Sequence, residues 1–187
     1  MSETNPVFSS EHSSRLDNRF RKFVHNPKKF LGRLVKPGDV VLDYGCGPGT
    51  FTLDLANMVG VRGKVFAVDL QQEMLDQLKK KTAGSHLSQL QILKCETDRI
   101  GVTEQLDFAL AFYVLHEVPD HAAFFREISR ILKPGGSLLL VEPVFEVSKK
   151  AFETTIEEAV NQGLTPVSPV RLFLSRAMVL KKNDPLT

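Results

Sequence analysis

Three glycines, Gly45, Gly47 and Gly49, alternate directly after the apolar run Val40-Val41-Leu42 and before a helical pattern that begins at Thr50. Glycine at such places permits positive φ and lets a ligand touch the backbone. Two carboxylates accompany them. Asp43 stands two residues before the first glycine, and Asp69 stands 20 residues past the third, at the end of the next apolar run. A dinucleotide fingerprint would read G-x-G-x-x-G, with its third glycine at position 50. Here position 50 is Thr and position 49 is Gly. A carboxylate at position 43 repels a pyrophosphate and welcomes a cation. Asp69 has the spacing at which a carboxylate accepts hydrogen bonds from ribose hydroxyls. Together these residues suggest an adenosine-type ligand with a cationic end.

The elements that must position them follow from periodicity. Val40–Asp43, Val65–Asp69, Gln91–Lys94, Phe108–Phe112 and Leu138–Val141 read as five strands. Phe51, Leu55, Met58 and Val59 mark a helix ending near Gly60. Met74, Leu75 and Leu78 mark a second, with lysines in its last turn as the helix dipole favours. A third begins around Asp120, buries Phe125, Ile128 and Leu132, and is broken by Lys133-Pro134-Gly135-Gly136. Strands joined through helical connections imply a parallel sheet covered on both faces, and right-handed crossovers make it doubly wound. The glycine turn then sits at the carboxyl end of the first strand, near the switch point where ligands bind. The tail differs. Ser148 caps a helix bearing Phe152, Ile156, Ala159 and Val160. The runs Leu164–Val167 and Leu172–Leu180 are too close for a crossover, so they pair antiparallel as an edge hairpin. Pro166 and Pro169 suit an edge strand.

Upstream, residues 1–14 are rich in Ser, Glu and Asn and read as loose. Leu16, Phe20, Phe23 and Val24 lie at helical spacing within a basic stretch. Asn26-Pro27 reads as the cap and first-turn proline of a second helix carrying Phe30, Leu31, Leu34 and Val35. The chain thus divides into a basic N-terminal segment, 1–37, and a ligand-binding domain, 38–187. The segment either forms a lid over the site or packs with its basic face in solvent; attraction to anionic lipid or to an acidic substrate is a third option.

Composition narrows the function. The chain has 187 residues, 42% hydrophobic and 25% charged, which excludes a disordered or collagen-like protein. Lys and Arg number 24 against 22 Asp and Glu, so the net charge of +2 gives no sign of a polyanion partner. Two cysteines, Cys46 and Cys95, make neither a disulfide framework nor a zinc site and read as packing residues. No apolar run reaches the ~20 residues that span a bilayer, and Met1–Ser14 lacks a signal peptide's apolar stretch. These features place the protein in the cytoplasm.

The run D-x-G-x-G-x-G, the Asp after the second strand and the Leu-Lys-Pro-Gly-Gly before the fifth resemble a class I S-adenosylmethionine-dependent methyltransferase. The small-molecule branch similar to ubiquinone/menaquinone C-methyltransferases is nearest. The resemblance covers roughly residues 38–182. It implies an α/β, Rossmann-like, doubly wound sheet of seven strands, mostly parallel, with one antiparallel strand from a C-terminal hairpin and helices on both faces. It implies S-adenosyl-L-methionine as cofactor and a small-molecule methyl acceptor, with no metal and no nucleic acid. Asp43 would support the turn and the ligand's amino group, and Gly45, Cys46, Gly47 and Gly49 would wrap the methionine moiety. Asp69 would take both ribose hydroxyls, Leu70 would pack on the adenine, and Glu96, followed by Thr97, would accept from the adenine amino group. Phe112 would offer its carbonyl to the ammonium, and Tyr113 and His116 would face the transferred methyl.

Several readings stay open on the residues alone. His116 acts as a base, orients substrate, or simply bonds a loop carbonyl. Glu117 reads as a solvated loop carboxylate. Glu142 terminates the fifth strand or touches substrate. His12, His25, His86 and His121 read as solvent-facing. A nicotinamide-dependent oxidoreductase is disfavoured by Thr50 and Asp43. A non-catalytic module that binds the cofactor remains an alternative. No N-P-P-Y-type motif of amino-methylating enzymes follows the fourth strand.

Overall fold

The computed structural model describes residues 26–183. The basic run bearing Leu16, Phe20, Phe23 and Val24, and with it His12 and His25, lies outside the described residues. One sheet of seven strands organises the rest, in the order β3-β2-β1-β4-β5-β7-β6. β1 (Val40–Tyr44) and β4 (Leu106–Phe112) lie side by side at its middle. Both are almost wholly buried, as apolar runs covered on two faces must be. β1 pairs parallel with β2 (Lys64–Asp69) on one side and β4 on the other, which sets Asp43 between Ala67 and Leu110. β3 (Leu90–Lys94) extends β2 outward. The chain runs from β1 out to β3 and returns at β4, so the reversal falls between β1 and β4. At the other side β5 (Leu132–Pro143) runs parallel to β4, while β7 (Ser175–Lys182) inserts antiparallel between β5 and β6 (Leu164–Pro169). The seven-stranded, Rossmann-like arrangement expected from the sequence is therefore present, with Pro166 and Pro169 on the edge strand.

Helices cover both faces. α1 (Pro27–Leu31), α2 (Thr52–Val59) and α3 (Gln72–Thr82) lie on one; α4 (His121–Ile131) and α5 (Lys149–Asn161) lie on the other. Phe30, Leu31 and Leu55 meet Val41, Val65 and Phe108 on the first face. Phe125, Ile128 and Phe152 meet Leu42, Ala109 and Leu140 on the second. Each such large side chain contributes roughly 1.5–3 kcal/mol by leaving water. The caps read from the sequence, Asn26 and Ser148, are made, and Asp120 caps the helix expected to begin around it; each accepts from a first-turn amide at 2.8–3.1 Å. Among the described residues no helix is long and apolar enough to cross a membrane.

Three details depart from expectation. α1 stops at Leu31, because Gly32 takes the cap position and donates to Lys28 O; Val35 is buried from the turn that follows. α4 does end just before Lys133-Pro134-Gly135-Gly136, at Ile131, but β5 starts earlier than expected and includes this run, since Leu132 already pairs with Leu106. A register shift between Leu106 and Phe108 accommodates it. Val160, expected on the buried face of α5, is exposed; Phe152, Thr155 and Ala159 form that face, and Val160 lies one position round the helix.

Candidate functional site

The turn after β1 is built so that packing demands glycine at one end and solvent access meets it in the middle. Gly45 has φ +66°, and a Cβ there would stand 2.3 Å from Val114 Cγ2. Gly47 has φ +53°, and a Cβ there would meet nothing within 4 Å. The turn is pinned to β2: Cys46 N donates to Val68 O at 3.0 Å, and Gly47 N to Asp69 Oδ2 at 2.8 Å. Cys46 itself faces inward, against Ala67, Leu75 and Leu78.

Two buried carboxylates flank the turn. Asp43 is 3% exposed and accepts from Thr52 Oγ1 at 2.6 Å. Burial pushes its carboxyl up to about 7; the Thr52 hydroxyl opposes the rise and the charge of Asp69 adds to it. Asp69 accepts from Gly47 N through Oδ2 and from Gln71 N through Oδ1, the latter at 2.9 Å. Burial raises its pKa as well, with the amides of Gln71, Gly47 and Leu70 pulling the other way. A carboxylate offers about four lone-pair positions, so Asp69 retains acceptor capacity after bonding both amides. Both cysteines are packing residues, 5% exposed, and burial holds both thiols up, Cys95 at about 11 and Cys46 well above its ordinary value.

A cleft of about 160 Å3 opens at this edge of the sheet. Gly45, Asp69, Leu70, Glu96, Thr97 and Phe112 line it, and Tyr113 closes one side. Asp43, Cys46, Gly47, Gly49 and His116 are not among its lining residues: Asp43 lies beneath the turn, and the other turn residues form its frame. Leu70, half-exposed at 47%, stands at the lip. Among the described residues the lining contributes three carboxylates, Asp69, Glu96 and Glu117, and no lysine or arginine. Such a cleft favours a cation and disfavours a diphosphate. Glu117, read as a solvated carboxylate, thus faces both solvent and cleft.

The far wall is a short 3-10 turn, Leu115–Glu117, held by side chains from distant elements. Leu115 N donates to Glu142 Oε1 at 2.8 Å, and Leu115 O accepts from His121 Nε2 at 2.9 Å. His121 is therefore not solvent-facing; its Nδ1 meets Glu158 Oε2 at 3.0 Å. His116 turns toward β5. Its Nδ1 pairs with the buried Glu142 and its Nε2 with Glu146 Oε2 at 2.7 Å. The Glu142 hydrogen bond raises the imidazole's pKa against the desolvation that would lower it. His116 bonds carboxylates rather than a loop carbonyl, and Glu142 does more than end a strand. Tyr113 lines the cleft in a left-handed conformation, φ +56°, with its hydroxyl 2.5 Å from Ser175 Oγ. A non-glycine residue at such a φ stores roughly 1–3 kcal/mol of strain. Ser175, Glu146 and Glu158 carry no local signal of these contacts, which span 30 to 62 residues.

A family model described as a methyltransferase domain matches residues 42–140. The chain belongs to that family. The match, with the structural likeness given below, bears out the resemblance to a class I S-adenosylmethionine-dependent methyltransferase. A demethylmenaquinone methyltransferase from Lactobacillus johnsonii is 38% identical over 118 residues, 62% of this chain and 48% of that protein. One from Bacillus cereus is 33% identical over 109 residues, 58% and 46% of the two chains. This chain thus spans about half the length of the curated relatives it matches. A SAM-dependent methyltransferase from Aquifex aeolicus superposes with a TM-score of 0.82 at 27% identity, over 94% of this chain and 98% of that one. A methyltransferase structure from Methanococcus maripaludis, at 19% identity and a TM-score of 0.78, covers 100% and 99% and shares the fold.

Proposed function

We propose that this chain transfers a methyl group from S-adenosyl-L-methionine to a small-molecule acceptor. The observation that carries the reading is the cleft at the β1/β4 reversal, edged by Asp69, Glu96 and Glu117 and lacking basic residues among those described. Bound there, the cofactor supplies a methyl already activated on a sulfonium. In this reading Asp69 holds the ribose with its remaining lone pairs, Leu70 packs on the adenine, and Glu96 with Thr97 meets the adenine edge. Gly47 gives the methionine moiety room, Asp43 draws its cationic end, and the Phe112 carbonyl accepts from the ammonium. The methyl carbon would go to the acceptor's electron pair, the bonding pair would stay on sulfur, and the acceptor's proton would pass to solvent.

The chain's own contribution is then positioning and exclusion of water rather than a dense set of acid–base groups. Tyr113 is the substrate-side group at the cleft. His116 acts behind the wall, fixing the 3-10 turn through Glu142, and is a positioning residue. Residues 1–37 are read as a segment attached to the 38–187 domain, with α1 seating Phe30 beside Phe51 and Phe112. A cytoplasmic location fits two free cysteines. The test is transfer of labelled methyl from S-adenosylmethionine, with a small-molecule extract as the acceptor source and demethylmenaquinone, the acceptor named for the relatives, as a neutral comparison. Label in a small molecule with stoichiometric S-adenosylhomocysteine is expected. Cofactor binding without transfer from either source would identify a binding module instead.

A further inference from the structure

A second concavity, of about 720 Å3, lies between α1 and the β6–β7 hairpin. Ligand clefts commonly hold roughly 300–1,000 Å3. Phe30, Leu34, Val170 and Leu172 give it an apolar floor. Lys29, Arg33 and Arg171 also line it, and among the described residues no acidic side chain does. All three cations are exposed, and their side chains make no ion pair or hydrogen bond within the described residues. Three like charges gathered on one groove repel each other, and a bound anion relieves that repulsion.

The groove shares a wall with the cofactor cleft. Phe30 packs on Phe112 with ring centroids 6.1 Å apart, and Phe112 lines the cleft. Tyr113, also in the cleft, bonds Ser175 Oγ, which donates to Phe173 O at 2.9 Å. Phe173 lines the groove. Both walls fall outside residues 42–140, so the family match does not describe them.

We propose that this groove binds the methyl acceptor, and that the acceptor is an anionic amphiphile: an apolar body carrying a carboxylate, sulfonate or phosphate held by Lys29, Arg33 and Arg171. The assignment to an acceptor rests on the methyltransferase reading; the anion site rests on the groove alone. The arginines confer the selectivity, because guanidinium groups bind such anions through paired donors.

The probe is 8-anilinonaphthalene-1-sulfonate, titrated by fluorescence into the full chain. N-phenyl-1-naphthylamine, the same rings without sulfonate, is its neutral control. Saturable binding of the sulfonate at least tenfold tighter than the control is expected, together with a tenfold or greater loss in the Arg33→Glu/Arg171→Glu variant. Calorimetric affinity for S-adenosylhomocysteine should stay unchanged in that variant. Equal affinity for both probes, or an unaffected double variant, overturns the proposal. If circular dichroism shows that variant misfolded, Arg33→Gln/Arg171→Gln replaces it, with a threefold or greater loss expected and no loss overturning. Phosphatidylglycerol vesicles separate a soluble ligand from a lipid headgroup. Sedimentation with vesicles that needs both arginines, without saturable probe binding, overturns the proposal in favour of a membrane surface. A chain that binds the sulfonate but not S-adenosylhomocysteine keeps the anion site and overturns its assignment to an acceptor.

Discussion

The two walls of the cleft are held by different physics. On the β1–β2 side the turn is fixed by backbone amides, Cys46 N on Val68 O and Gly47 N on Asp69, with glycines where a side chain would collide. On the β4–β5 side the 3-10 turn hangs on side chains: Glu142 and His121 hold the Leu115 peptide by its two ends, and His116 is clasped between two carboxylates. The first wall is stiff and insensitive to surface charge. The second depends on side-chain partners from β5, α4 and α5. In the proposed methyl transfer, the first wall is the rigid cradle of a constant donor.

Gly45→Ala should break the first wall and the boundary between the two at once. Its Cβ would collide with Val114 while the backbone holds φ +66°. A loss of roughly 3–5 kcal/mol in urea unfolding is expected, from strain and overpacking together. Glu142→Ala should damage only the second wall. It strands the Leu115 amide and leaves His116 short of a buried partner, at a cost of roughly 3 kcal/mol. Hydrogen exchange should accelerate at Leu115 and stay slow at Cys46 and Gly47; acceleration at all three would mean the walls are one unit.

pH should act on both walls. Asp43 has its folded pKa raised to about 7 from 3.8. Between those values the unfolded chain has lost the proton and the folded chain keeps it, so stability falls as pH rises from about 4 to about 7. A shift of that size is worth on the order of 4 kcal/mol. Asp43→Asn should flatten the slope in thermal melts. His116, also raised, contributes stability fully present below 6.5 and lost as pH climbs through its folded value; His116→Gln should remove that second decline. The smallest expected effect is at the lip. Leu70→Ala should leave the melting temperature within a degree, because the side chain is half-exposed, yet weaken S-adenosylhomocysteine roughly fivefold, about 1 kcal/mol of lost packing.

The same contrast explains what the sequence disclosed. The glycine turn and the spacing of Asp43 and Asp69 follow from local pattern, because backbone geometry imposes them within 27 residues of chain. The second wall was legible only as isolated residues. His116 and Glu142 stood out, but nothing local joins them across 26 positions, or Tyr113 to Ser175 across 62. His121 read as a surface residue because its partners, Leu115 O and Glu158, lie one element before and two after. Lys133-Pro134-Gly135-Gly136 read as a break because the pairing of Leu132 with Leu106 is a long-range event.

The central claim is that Asp69 and the turn it pins form the seat of S-adenosylmethionine. Calorimetric titration of S-adenosylhomocysteine into the native chain and into Asp69→Ala, each checked for fold by circular dichroism, tests it most directly. One-to-one binding by the native chain is predicted, with affinity lower by roughly a hundredfold or more in the variant, since charge-assisted bonds of ~1.5–3 kcal/mol each are lost. Equal affinity in the two folded chains, or native binding of a nicotinamide dinucleotide in place of S-adenosylhomocysteine, would contradict it.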